Sequence, residues 1–253
     1  MSSFYFREAF ERLSSPSRLA PYLLVPPLLA LTVTMQNTVP AMSWLLPLLA
    51  PQNPVWGRLG LALWNASLVA ALLSGIIGTG FFPSTFGSGW FRSCLALPAG
   101  RSAAYWQTAL VHLLISACVL ALTWAAIIAA LHVPPGFPLV ATLAGGLALL
   151  LWTACFSAFA GLLAPSWGAG MLQAGLAFAG LVAAPASAVA LAQPLSIGDL
   201  AMPPLGRMVI RGMAGWPDWV AAAVLFGQAL FFAVAGLLIF RLSVRLAGRR
   251  YSP

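Results

Sequence analysis

There is no lysine in this chain of 253 residues, so all 12 basic side chains are arginines, and the only acids are Glu8, Glu11, Asp199 and Asp218. Without lysine the chain cannot carry a nucleotide-hydrolysing P-loop, whose GxxxxGK[ST] pattern needs an ammonium against the phosphates. No acid falls inside an apolar run, which removes the carboxylate that ion-coupled carriers usually place at membrane depth. Acid pairs and metal-ligand clusters are missing, and the serines lack a nearby His and Asp set. The chain is therefore expected not to be an enzyme and to hold no cofactor or metal. No nucleic-acid partner is expected either. The three cysteines, Cys94, Cys118 and Cys155, include no CxxC pair and are expected to be buried small hydrophobes.

What remains is apolar. Hydrophobic residues make up 61% of the chain and charged ones 6%, with a mean hydropathy of +0.95, too few charges to clothe a soluble globule. The expected fold is all-α, a polytopic membrane protein. A bilayer needs about 20 apolar residues per helix, and six such runs occur, at 19–35, 59–82, 103–131, 139–164, 171–192 and 219–240. The first is short and contains Pro26 and Pro27, which predicts a kink or an extension into 44–49. No cleavable leader is expected, because the signs around Arg7 to Arg12 are mixed and no A-x-A site follows an apolar core. Usage of arginine alone, with much Ala, Gly and Pro, points to a GC-rich bacterial genome and hence to the inner membrane.

Orientation follows from the arginines. With both termini in the cytoplasm, Arg7, Arg12, Arg18, Arg92, Arg101, Arg241, Arg245, Arg249 and Arg250 lie inside and only Arg58, Arg207 and Arg211 outside. An even number of spans satisfies this. In segment 1–18, Phe6, Phe10 and Leu13 recur at helical spacing beside the i, i+4 pairs Arg7–Glu11 and Glu8–Arg12, the pattern of a helix lying in the membrane surface. In the tail, 241–253, Arg241, Arg245 and Arg249 share one helical face, suited either to anionic headgroups or to a plain positive-inside anchor.

The outer segment 193–218 is too apolar for a solvated linker and is expected to dip back into the membrane as short re-entrant helices between the fifth and sixth spans. The connection "HVPPGFP" reads as a tight turn. His112 is the only ionisable residue inside a span, either a neutral histidine bonded between helices or a proton relay. On the fifth span Gly175, Ala179, Ala183 and Ser187 form a small-residue stripe, open to packing within one subunit, across a dimer or along a pathway.

Segment 83–102 is the odd one. It must face water, yet "GSGWFRSCLALPAGR" keeps Trp90, Phe91 and Leu95 beside Arg92 and closes on Leu97, Pro98 and Arg101. Such a greasy loop is either covered by a partner or lies in the headgroup layer as an aromatic belt. The order of parts, together with Ser88-Gly89 and the Leu-Pro-x-x-Arg turn, resembles the permease subunits of ABC type-2 exporters. It departs from them in having no acid just before Ser88.

The resemblance implies that 83–102 is a coupling loop docking on a separate P-loop ATPase, which carries the ATP and Mg, through Trp90, Phe91, Arg92, Leu95, Leu97, Pro98 and Arg101. It also implies that a second copy of the permease completes a central cavity. Asn65, Ser67, Ser74, Gln173 and Ser187 are then candidate pathway residues, with solitary interhelical hydrogen bonds as their ordinary role. The expected function is that of the permease half of an ATP-driven exporter, working as a dimer in the bilayer. A non-transporting polytopic scaffold is the alternative, and a proton-coupled carrier the third possibility.

Overall fold

The computed structural model of the chain describes residues 101–132, 137–163 and 218–249, and individual residues within 6–14, 19–28, 63–78, 172–176 and 203–208. Three long helices stand out: α1, Arg101–Leu131; α2, Phe137–Leu163; and α3, Trp219–Arg249. Each is long and apolar enough to cross a membrane, over Ser102–Ala130, Thr142–Leu163 and Trp219–Ser243. They are apolar all round rather than along one stripe, the pattern of helices whose outer faces meet lipid. The chain is thus a helical membrane protein, and these helices correspond to the third, fourth and sixth runs of the sequence.

Two boundaries differ from expectation. Arg101, assigned to the loop, is the first residue of α1. The sixth apolar run ends at 240, yet α3 continues to Arg249. At about 1.5 Å per residue its 31 residues span roughly 46 Å, more than the ~30 Å hydrocarbon core, so the helix outlasts the apolar stretch.

The helix ends follow local rules. Leu131 closes α1, and His132 turns left-handed with φ of 51°. Such a C-terminal residue followed by prolines ends a helix sharply. Only 132–136 separate α1 from α2, which therefore form an antiparallel hairpin, as contacts at Gly146 with Trp124 and at Ala158 with Val111 show.

α2 is the central helix, with 61% of its span buried against 33% for α1 and 28% for α3. Its largest interface is with α3. There Phe232 of α3 enters an aromatic face of α2, 4.9 Å from Phe156 edge-to-face, 5.4 Å from Phe159 and 6.3 Å from Trp152, measured between ring centroids.

α2 and α3 run parallel. Their C-terminal parts both meet the start of α1, through Ala158 with Val111, Tyr105 with Phe240, and Ser102 with Arg241. Met208, beside the Arg207 that pairs with Asp218 at the start of α3, lies near Gly145 at the start of α2. The chain between 163 and 219 therefore begins at one end of the bundle and finishes at the other.

The described residues of 63–78 are helical and track α1 in the opposite direction, Ser67 meeting Trp124, Ser74 meeting Ser116 and Gly78 meeting His112. Leu63, Ala66 and Ala70 pack with Leu120, Trp124, Ile127 and Leu150 into a buried core.

At the Arg101 end, Phe6, Arg7, Ala9, Phe10 and Glu11 are helical. Ala9 packs on Val111 and Ala158, and the Phe6 backbone N–H donates to Gln107 Oε1 at 3.1 Å. The Arg7–Glu11 pair forms at 2.8 Å. Both side chains are exposed, so the pair contributes little, although the carboxylate's hydrogen bond and charge raise the Arg7 pKa.

One expectation fails. Cys118 is exposed on α1 and Cys155 only half-buried. In a membrane an apolar side chain gains nothing by leaving a lipid-facing surface, so hydrophobic does not imply buried.

Candidate functional site

A polar seam runs through the interface of 63–78 with α1 and α2. Trp124 Nε1 donates to Ser67 Oγ at 2.8 Å, and Ser67 Oγ donates to the Leu63 carbonyl at 2.8 Å. Two turns further on, the hydroxyls of Ser74 and Ser116 share a hydrogen bond, and Ser116 donates to the His112 carbonyl at 2.8 Å. Ser157 of α2 donates to the Ala154 carbonyl at 2.9 Å. All these groups are buried. The two that cross between helices, Trp124 to Ser67 and Ser74 with Ser116, are the usual glue between membrane helices, worth about 0.6 kcal/mol each, while the other three stay within one helix.

Glycines let the seam close. A Cβ on Gly78 would lie 2.6 Å from His112 Nε2 and 2.5 Å from Ser157 Oγ. On α2 the Gly145–Gly146 pair receives two indoles, Trp64 against Gly145 and Trp124 against Gly146, where an added Cβ would lie 2.7 Å and 2.5 Å from ring carbons. Trp124 cannot easily yield, because its ring nitrogen is held by Ser67. Gly146→Ala is therefore expected to cost about 1–3 kcal/mol. Gly227→Ala, on an exposed stretch of α3 where nothing lies within 4 Å, is expected to be neutral. Thermal unfolding of the two variants in detergent checks the contrast.

A second feature lies between α2 and α3. A cavity of about 600 Å³ is lined by Trp152, Val224, Gln228 and Phe231 together with Leu176 and Pro203. Trp152 Nε1 is buried there with no hydrogen-bond partner among the described residues. Largely apolar walls suit an apolar or amphiphilic guest.

The third feature is the start of α3. Asp218 stands just before Trp219, and its Oδ1 accepts the Ala221 backbone N–H at 3.0 Å, an N-cap. Its Oδ2 accepts Arg207 Nε at 2.5 Å, with the two side chains 0% and 13% exposed. Pro203, Pro204 and Met208 are buried too. These described residues of segment 193–218 are thus tied to the bundle.

Of the candidate pathway residues, Ser67 and Ser74 lie in the seam as interhelical hydrogen-bonding groups, and His112 lies beside them. Asn65, Gln173 and Ser187 are outside the described residues. So are Trp90, Phe91, Arg92, Leu95, Leu97 and Pro98, leaving Arg101 at the head of α1 as the described member of that set. Gly175 of the small-residue stripe is exposed with nothing within 4 Å, and the other stripe positions are outside the described residues.

Sequence reasoning missed Trp152, Gln228 and the glycine pair. The signals were present as a lone amide in an apolar run and two adjacent glycines in another. Among the described residues no group of His, Cys, Asp and Glu could hold a metal. The chain matches no protein-family model, no curated protein and no solved structure.

Proposed function

We propose that this chain is the permease subunit of an ATP-driven exporter of the ABC type-2 kind, acting as a dimer with separate ATPase subunits docked on 83–102. The observation that carries this reading is the junction at Arg101. The residue that ends the Leu97-Pro98-x-x-Arg101 motif is also the first of an unbroken 31-residue helix. A displacement of the loop is then applied to the end of a rigid rod. That rod is packed along α2 and bonded near its start to α3, through Arg241 to Ser102 and Tyr105 Oη to the Ala233 carbonyl.

In this reading the protein has six spans, a surface helix over 1–18 and a re-entrant outer segment over 193–218, and sits in a bacterial inner membrane with both termini cytoplasmic. The parallel course of α2 and α3 supports a crossing between them, and the helical residues 63–78 support one before α1. The lack of lysine assigns ATP hydrolysis to a partner. The α2–α3 cavity, whose lining among the described residues carries no charge, favours an apolar or amphiphilic cargo.

Affinity purification of the tagged chain from its native membrane tests the proposal. A P-loop ATPase is expected to co-purify in stoichiometric amount. Recovery of other membrane proteins with no ATPase overturns it in favour of a scaffold.

A further inference from the structure

A groove of about 340 Å³ opens where α1 and α3 splay apart over α2. Its floor is made of small residues, Ala154 and Ala158 of α2 and Ala229 of α3, and Leu110, Phe226 and Leu230 stand exposed along its sides. It runs along α1 from Tyr105 to Leu113. Eight residues at about 1.5 Å each give roughly 12 Å, close to the ~15 Å occupied by one leaflet of a ~30 Å hydrocarbon core.

A cation stands beyond the Tyr105 end of the groove. One turn before Tyr105, Ser102 Oγ accepts two hydrogen bonds from the exposed Arg241, from Nε at 3.1 Å and Nη2 at 2.8 Å. A guanidinium has five donors, so Arg241 is held in place and still has N–H groups for an anion. An apolar slot one leaflet deep, capped by a fixed cation, has the chemistry of a lipid seat.

We propose that this groove seats one acyl chain of an anionic phospholipid whose phosphate is held at the mouth by Arg241. The site is independent of any transport role. An arginine near the membrane surface favours anionic lipid by about fivefold, while the alanine floor sets the slot's width.

Native mass spectrometry of the detergent-purified chain tests this, using an equal mixture of phosphatidylglycerol and phosphatidylcholine with matched chains. The chain is expected to retain one phosphatidylglycerol, about fivefold over phosphatidylcholine. Arg241→Gln should bring the ratio to about one. Ala109→Leu, which narrows the groove, should reduce retention of both lipids with Arg241 intact. Should that variant fail to fold, Leu230→Trp at an exposed position of the wall serves instead. An unchanged ratio in Arg241→Gln overturns the proposal. So does unchanged retention in the folded filling variant, which leaves only a surface layer of lipid. Loss of a chain dimer in the filling variant, with lipid retention intact, assigns the groove to a second copy and overturns it too.

Discussion

Under the docking proposed for 83–102, truncating Trp90 and Leu95 together to alanine is expected to abolish recovery of an ATPase with the chain while leaving the amount of membrane-inserted protein unchanged. Large apolar anchors that fill a pocket on a partner dominate binding, and removal of one costs about 2 kcal/mol or more, roughly thirtyfold in affinity. Two such losses take a micromolar or tighter complex below what survives washing. Insertion is spared because the apolar runs that drive it are untouched. Pro98→Ala is expected to behave differently, loosening the turn ahead of Arg101 and lowering substrate-stimulated ATP hydrolysis more than binding. Co-purification from matched membrane amounts checks the pair. Recovery of the ATPase at full strength from the double variant would refute docking and return Trp90 to an aromatic belt in the headgroup layer.

Asp218→Ala is expected to destabilise the folded protein by about 3 kcal/mol or more. One carboxylate does two jobs here, capping Ala221 at the first turn of α3 and pairing with Arg207. Loss of an N-cap alone costs about 1 kcal/mol, and removing one partner of a buried ion pair costs about 3–5 kcal/mol. Asp218→Asn keeps an oxygen for the cap and is expected to fall between. The charge contribution can be isolated with Arg207→Met. Combined with Asp218→Ala it should recover much of the loss, since no guanidinium is then left without its carboxylate. Thermal unfolding of the four proteins in detergent gives the coupling energy. A double variant no better than Asp218→Ala would show that the guanidinium left behind carries no penalty, and a coupling energy near zero would show that the ion pair contributes nothing beyond the cap.

The three described spans were legible because a bilayer demands length and apolarity, both of which are linear properties of sequence. Local pairing was legible for the same reason. Arg7 and Glu11 are four residues apart, and the helix brings them together. The end of α3 was not, since hydropathy registers where hydrocarbon stops and the helix runs on through its arginines to Arg249. Lateral placement was the least legible. Nothing in composition distinguishes Cys118, which faces outward, from Leu120 two residues on, which is fully buried, because lipid and protein interior make the same demand on an apolar side chain. The same degeneracy hid the glycine pair at 145 and 146, whose role depends on two tryptophans 81 and 22 residues away in the chain.

The parallel course of α2 and α3 has a bearing on how the protein is made. The α1–α2 hairpin is complete once residue 163 has left the ribosome, and its connection is five residues long. Phe232, the partner of the aromatic face formed by Trp152, Phe156 and Phe159, is synthesised some 70 residues later. At about 5–20 residues per second, that face waits several seconds for Phe232, and the largest helix interface in the described structure is the last to be closed. A nascent chain stalled before residue 219 would hold an inserted hairpin with a sticky aromatic flank, a natural target for membrane quality control.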